Sequence, residues 1–488
     1  MSRPIHFRAL AVLLTLALLL SGLCACASAG TEDGGEPVAS SPEPSADPGE
    51  EAAEPEDALA YDDLGEADFG GASYIIAGLS NRTTTAVTSS ELNGEVINDA
   101  QYNAARAVEA RFNVAISYED IAADDSSMAT AIRGIVSGGE EKYAVTFSQD
   151  TNMITLVMAG HFHNLKSIPE FNFDKPWWIA STDTIGVGNK AYAASSYLSY
   201  YCLYYMRMFI MNKGMAADLG LSVPYDKVYE GTWYLDDVIS MAEAATADID
   251  GDGQMTAKDR YGLTYEVFYT LQNSLGVPVI SKDADNIPYI NFDVERAALY
   301  LEKMTNLTEN YGFQESNYGA NMFANGQSLM CYCNLREVCN IIRDSEISYG
   351  FLPAPKLDEL QPDYMTVATD VYWGIPISCV SQLTMIGTVT EALSCQHFNY
   401  VRPAFFETTM KTKLSGTEDD TKMLDLAASR LSIDFGYAYQ NSLGSMSSID
   451  DMVRDGVKAD TVASTFQKLS KSMTKALQKI LDKYEELP

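Results

Sequence analysis

The chain has 488 residues, with 33 Lys and Arg against 67 Asp and Glu, a formal net charge of −34. That balance argues against nucleic acid or an anionic lipid surface as partner, because basic patches supply most of the attraction there. With 47% hydrophobic residues over this length the chain has more core than one ordinary domain needs, so two lobes are expected.

Arg3, His6 and Arg8 form a basic head before a mostly apolar run from Ala9 to Leu20. The run is shorter than the roughly 20 apolar residues of a membrane-spanning helix and fits the core of a secretory signal. Leu23-Cys24-Ala25-Cys26 follows. It offers an aliphatic residue three before a cysteine and a small one just before it, the pattern that lipoprotein signal peptidase favours. Residues 1–26 therefore read as a lipoprotein signal peptide and lipobox, with Cys26 as the lipidated residue; an ordinary signal cut nearby is the alternative. From Ala27 to Ala60 the chain carries ten acidic residues, five prolines and no Lys or Arg. Such a segment buries too little apolar surface to offset its chain entropy, so residues 27–60 are expected to form a disordered, extended tether. The rest is expected outside the cell, held at the membrane by lipid alone.

The folded part opens at Asp68-Phe69-Gly70-Gly71. Ala72 to Ala77 reads as a strand. Asn98 to Phe112 carries Ala100, Ala104, Val108 and Phe112 at helical spacing. Asn113 to Tyr118 alternates as a strand. Asp125 or Ser126 can cap a helix that runs to Val136 and stops at Gly138-Gly139, and Tyr143 to Ser148 is another strand. This β-α-β-α-β run predicts an α/β fold with an open, mostly parallel sheet flanked by helices. Ligands of such sheets sit beyond the carboxyl ends of the strands, here Gly78 to Asn81 and Ser148 to Thr151. Ser195 to Met211 is rich in tyrosine, including Tyr197, Tyr200, Tyr201, Tyr204 and Tyr205. It reads as an amphipathic core strand, some of whose rings could instead line a sugar cleft, since sugars stack apolar C–H faces on aromatic rings. A helix with Leu235, Val238, Ile239 and Met241 in register comes next, then short strands and helices in alternation. Thr461 to Glu486 closes the chain as an amphipathic helix.

The sharpest local motif lies between Asp248 and Asp259. Asp248, Asp250 and Asp252 hold positions 1, 3 and 5 of an EF-hand-like calcium loop, and Gly253 at position 6 supplies the sharp turn. Gln254 offers a backbone carbonyl at position 7, Thr256 a hydroxyl or a bridging water at position 9, and Asp259 a carboxylate at position 12, where Glu is usual. A plain acidic turn is the alternative. A single loop without a paired partner suits a structural Ca2+ rather than a sensor.

Outside the signal segment six cysteines remain: Cys202, Cys331, Cys333, Cys339, Cys379 and Cys395. Three of them sit among apolar residues in an expected strand and helix start, so buried free thiols are the default, one disulfide the next reading, and zinc lacks the second ligand pair it needs. Catalytic signatures are missing: the sequence has no G-x-S-x-G elbow, P-loop or H-E-x-x-H. His161 and His163 read as surface histidines. A catalytic site is not expected.

Several further elements occur in order: Gly94-Glu95-Val96-Ile97-Asn98-Asp99-Ala100, Lys175-Pro176-Trp177-Trp178, Pro224-Tyr225-Asp226-Lys227-Val228, Gly231-Thr232-Trp233, Asp259-Arg260-Tyr261-Gly262-Leu263, Asn325-Gly326-Gln327-Ser328, Leu352-Pro353-Ala354-Pro355-Lys356, Gln361-Pro362-Asp363-Tyr364 and Arg402-Pro403-Ala404-Phe405-Phe406-Glu407. Over most of residues 68–440 this set resembles the extracellular solute-binding lipoproteins of carbohydrate-type ABC importers, within the maltose-binding-protein-like superfamily. Tyr234 after Trp233, where Thr is usual, and the Cys331–Cys339 stretch depart from it.

The resemblance implies a two-lobed periplasmic-binding-protein-like fold of type II with the ligand in a cleft between lobes. Residues 61–199 and 372–400 would form one lobe, and 200–371 and 401–488 the other. The chain would cross near Leu198 to Leu203, again near Ala368 to Ile375, and return near Val401. The implied job is capture of a small solute, a carbohydrate first, for delivery to ABC permease subunits, by a monomer. Cleft candidates are polar or aromatic residues after strands or at crossings: Ser80, Asp150 and Tyr197; Trp233, Asn334 and Arg336; and Asp370, Tyr372 and Trp373. Asp370 beside Trp373 is the preferred pair, an acceptor next to a stacking ring. A surface glycan binder without transport, or a glycoside-active enzyme, are the rival readings.

Overall fold

The computed structural model describes residues 59–79, 87–179, 181–266, 268, 271–316, 319–368, 371–410, 417–444 and 457–488. Residues 1–58, with the expected signal peptide, Cys26 and most of the expected tether, lie outside these, as do Ser80 and Asp370. Among the described residues thirteen strands run in chain order: β1 (Ala72–Leu79), β2 (Val114–Ala122), β3 (Val145–Gln149), β4 (Arg207–Asn212), β5 (Tyr261–Tyr265), β6 (Ile280–Lys282), β7 (Pro288–Ile290), β8 (Gly312–Gln314), β9 (Ser328–Asn334), β10 (Tyr349–Leu352), β11 (Thr366–Val367), β12 (Val371–Gly374) and β13 (Leu431–Ser432).

The first sheet has the order β12-β3-β1-β2. β1 runs parallel to β2 and β3, and β12 lies antiparallel on β3. The helix Val96–Phe112 buries Ala104, Ala105, Val108 and Phe112 on one stripe and ends at Asn113, whose φ of 50° places it in the left-handed region. The helix Asp125–Gly138 stops at Gly139, φ 64°, a position that glycine occupies without strain. Its cap is Asp124, one residue before the expected Asp125: the Asp124 carboxylate accepts from Ser127 N at 2.7 Å. Aspartate in the first helical turn then adds a favourable charge at the positive helix end.

The second sheet has the order β10-β4-β9-β5-β8. β5 is parallel to β8 and β9, while β4 and β10 form an antiparallel edge on β9. Every residue of β9 is buried, which explains why Ser-Leu-Met-Cys-Tyr-Cys-Asn shows no hydrophobic alternation. The helix Leu235–Ala245 packs directly on β5. A Cβ at Gly262 would lie 2.2 Å from Ala242 Cα, so only glycine permits that approach.

The chain leaves the first sheet after β3, builds all five strands of the second, and returns as β12. The tyrosine-rich stretch makes the first crossing and is not one strand. Tyr204 N and Tyr205 N donate to the carbonyls of Tyr200 and Tyr201, winding Tyr201–Tyr204 into a helical turn before β4 begins. The return crossing is pinned by an antiparallel bridge between Met206 and Ala368. A third crossing follows the helix Leu383–Gln396 through a single π turn, His397–Val401. His397 Nδ1 lies 3.1 and 3.0 Å from the carbonyl oxygens of Tyr197 and Leu198, tying the third crossing to the first.

The closing helix, Val462–Glu486, buries Met473, Leu477, Ile480 and Tyr484. Its start stacks Phe466 on Phe292 at 3.9 Å, and its end sets Tyr484 edge-on to Tyr192 at 5.7 Å. It therefore packs on the segment that follows β7 and on the stretch that precedes the first crossing. No helix among the described residues is long and apolar enough to cross a membrane.

Candidate functional site

Strand ends and crossings meet in one region. On the first lobe β3 gives way to the helix Asp150–Met158. Asp150 is buried at the start of that helix, and its Oδ1 accepts from Thr151 N at 2.6 Å. Tyr372 pairs in register with Ser148. It borders a cavity of about 10 Å³ shared with Tyr201, Cys202 and Ala368 at the crossings, room for at most one water.

On the second lobe β9 ends at Asn334, whose side chain accepts from Glu337 N at 3.2 Å and so caps the helix Leu335–Asn340. Arg207 pairs with Asn334 at the start of β4, and its guanidinium stands 5.9 Å over the Tyr332 ring. β5 delivers Glu266 directly after Tyr265. Arg336 Nη1 lies 3.6 Å from Glu337 Oε1. Burial pushes the carboxyls of Glu266 and Glu337 above their ordinary range, while Arg207 and Arg336 pull both back down. The strand-end set thus holds two carboxylates and two guanidiniums.

Of the expected cleft residues, the structure brings Asp150 and Tyr372 to the first lobe's strand ends and Asn334 and Arg336 to the second's. Three others are held by partners inside the lobes. Trp233 is fully buried and donates its indole N–H to the Pro353 carbonyl at 3.2 Å. Tyr197 is buried edge-on to Phe398 at 5.2 Å. Trp373 is 1% exposed and sits among Phe171 and Trp178, on the face of β12 opposite to Tyr372 because side chains alternate along a strand. Ser80 and Asp370 fall outside the described residues. Arg207, Glu266 and Glu337 were not among the expected residues. The signal for Glu266 was its place directly after a parallel strand, where ligands of α/β sheets gather.

The acidic loop is ordered by its own side chains. Asp248 accepts from Gly251 N at 2.7 Å and Gly253 N at 2.8 Å, and Asp252 accepts from Gln254 N at 2.8 Å. Asp248, Asp250 and Asp252 bring carboxylate oxygens within 4.8 Å of one another, all exposed. Asp259 is different. It is buried, and it accepts from Ile249 N at 2.9 Å and Thr256 N at 2.7 Å, which holds its carboxyl below the ordinary range. Its carboxylate closes the loop, and the three exposed aspartates are the ones that converge.

No family model and no curated protein matches the sequence. Solved structures do. A sugar transporter of Rhizobium etli in an open conformation matches at 13% identity and a TM-score of 0.54, over 84% of this chain and 99% of that one. The cyclic alpha-maltosyl-1,6-maltose binding protein of Arthrobacter globiformis matches at 13% identity and 0.53, over 84% and 99%. A cyclo/maltodextrin-binding protein complexed with maltotetraose matches at 13% and 0.50, over 86% and 98%. At this level of identity the likeness shows the fold: the chain has the two-lobed α/β architecture of substrate-binding proteins.

Proposed function

We propose that this protein captures a small solute between its lobes and hands it to the permease of an ABC importer, with carbohydrate as the first solute class. The observation that carries the reading is topological: the chain leaves one sheet, completes another and returns, so that polar strand ends of two sheets meet beside three crossing segments. Crossings of this kind permit hinge closure over a bound molecule, and a solute shifts the balance only by its preference for the closed form. The solved structures of the same fold include binding proteins for maltodextrins and a cyclic maltose dimer, and a sugar transporter. Catalysis forms no part of the proposal.

In this reading the protein acts on the extracellular face of the cell membrane as a monomer, anchored through lipid on Cys26. Ca2+ would sit on Asp248, Asp250 and Asp252, whose mutual repulsion a cation relieves, and would stiffen the loop without joining the solute chemistry. The donor set suits a hard cation that takes oxygen ligands.

Thermal unfolding with calcium saturating, against a panel of mono- and oligosaccharides, tests the proposal. A sugar at about 100 times its dissociation constant adds roughly 2.7 kcal/mol, and one sugar class should raise the midpoint selectively. A flat response across the panel would remove carbohydrate from the reading.

A further inference from the structure

Two buried carboxylate oxygens on the second lobe accept no hydrogen bond from the described residues: Glu266 Oε2, just after β5, and Glu337 Oε1, in the first turn of the helix after β9. Glu337 is only 5% exposed. A buried acceptor without a donor is costly, more so when it is charged, and such groups are rare enough in folded proteins to call for a cause. Arg336 Nη1 faces Glu337 Oε1 at 3.6 Å, beyond hydrogen-bond reach. Both carboxylates lie in the fields of Arg207 and Arg336, and Glu337 also in that of Glu266. The four groups balance in charge at strand ends, where open α/β sheets receive their ligands.

We infer that Glu266 and Glu337 are solute-contacting residues that accept hydroxyl hydrogen bonds from a neutral, polyhydroxylated molecule. The inference rests on the solute-binding reading and narrows it. A hydroxyl supplies one donor and two acceptor lone pairs, so adjacent hydroxyls can satisfy a carboxylate and face a guanidinium at once. An acidic solute would bring a third anion beside two desolvated carboxylates, which raises the cost of keeping all of them ionised. Arg336, the residue most suited to an acidic group, already faces Glu337.

Calorimetry on the purified protein with D-glucose, D-galactose, ribitol, maltotetraose and D-glucuronic acid tests this, using wild type, Glu266→Gln and Glu337→Gln. The tightest neutral compound should bind wild type at least about tenfold better than glucuronic acid, and each variant should lose about tenfold to a hundredfold in that affinity. A second readout needs no solute. Each variant, once the buried charge is gone, should unfold at a higher temperature than wild type at pH 8, as happens when a site kept for binding is relaxed. Unchanged affinities, or lower midpoints in both variants, would overturn the assignment; a variant that fails to fold counts with the lower midpoints. If wild type binds no compound in the panel, the carbohydrate reading fails, and the unfolding midpoints decide the carboxylate assignment alone.

Discussion

Trp373 donates its indole N–H to Ser196 Oγ at 3.1 Å, and both residues lie in the interior of the first lobe. The ring packs 5.8 Å from Trp178 and 6.2 Å from Phe171, so the strand that brings the chain back from the second sheet is locked into the first by its largest side chain. Trp373→Ala should cost about 3–5 kcal/mol, as large-to-small changes of aromatic core residues do. Trp373→Phe should cost less and leave solute affinity unchanged. Denaturant unfolding of both variants, with calorimetry on the second, checks this; an affinity loss in the Phe variant at unchanged stability would return Trp373 to the cleft wall.

The pattern of what the sequence reveals follows from which information is local. The Val96–Phe112 helix and the strands around it are legible because their periodicity and their stop signals, Asn113 and Gly139, are carried within a few residues of each element. The Ser195–Met211 stretch misleads because tyrosine favours strands, whereas the turn at Tyr201–Tyr204 is imposed by the crossing between lobes. Tyr372 and Trp373 could both be called cleft residues until β12 is paired with β3; only then does alternation put one at the crossings and the other in the core. Glu266 and Glu337 are two among 67 acidic residues, and nothing short of the sheet order brings them near Arg207.

Glu391 makes the stability of the first lobe depend on pH. Burial pushes its carboxyl up to about 7, against the pull of a hydrogen bond from Trp178 Nε1 at 2.9 Å. Between the ordinary glutamate range near 4.5 and about 7 the folded state holds a proton that the unfolded state has lost. Stability from this group is therefore fully present below pH 4.5 and is lost as pH rises to about 7. Glu391→Gln keeps an acceptor for Trp178 and removes the titration. The variant should match wild type near pH 4.5 and exceed it at pH 8 in chemical denaturation; equal stability at both pH values would rule the coupling out.

The six cysteines Cys202, Cys331, Cys333, Cys339, Cys379 and Cys395 are buried thiols, none joined in a disulfide among the described residues. Burial raises Cys202 and Cys379 to about 12 and Cys395 to about 11, which starves them of the thiolate that reacts. A thiol reagent at pH 7 should find almost none in native protein lacking residues 1–26, and all six after unfolding. A count of four in the unfolded, unreduced protein would mean that one pair had oxidised on export.

Calcium should act on the Asp248–Asp259 loop and leave the cleft alone. Asp248, Asp250 and Asp252 are exposed, their carboxylates gathered within 4.8 Å, whereas Asp259 ties the loop through the backbone N–H groups of Ile249 and Thr256. Asp250→Asn and Asp259→Asn should therefore differ. The first should abolish the calcium-dependent part of thermal stability, roughly 2.7 kcal/mol at 100 times the dissociation constant, and behave like wild type in chelator. The second should lower stability in chelator as well, because a buried carboxylate that accepts two backbone N–H groups is weakened without any metal. Unfolding curves in calcium and in chelator separate the two. If calcium leaves the wild-type midpoint where chelator puts it, the loop is an acidic turn held by its own hydrogen bonds, and its three exposed aspartates serve solubility.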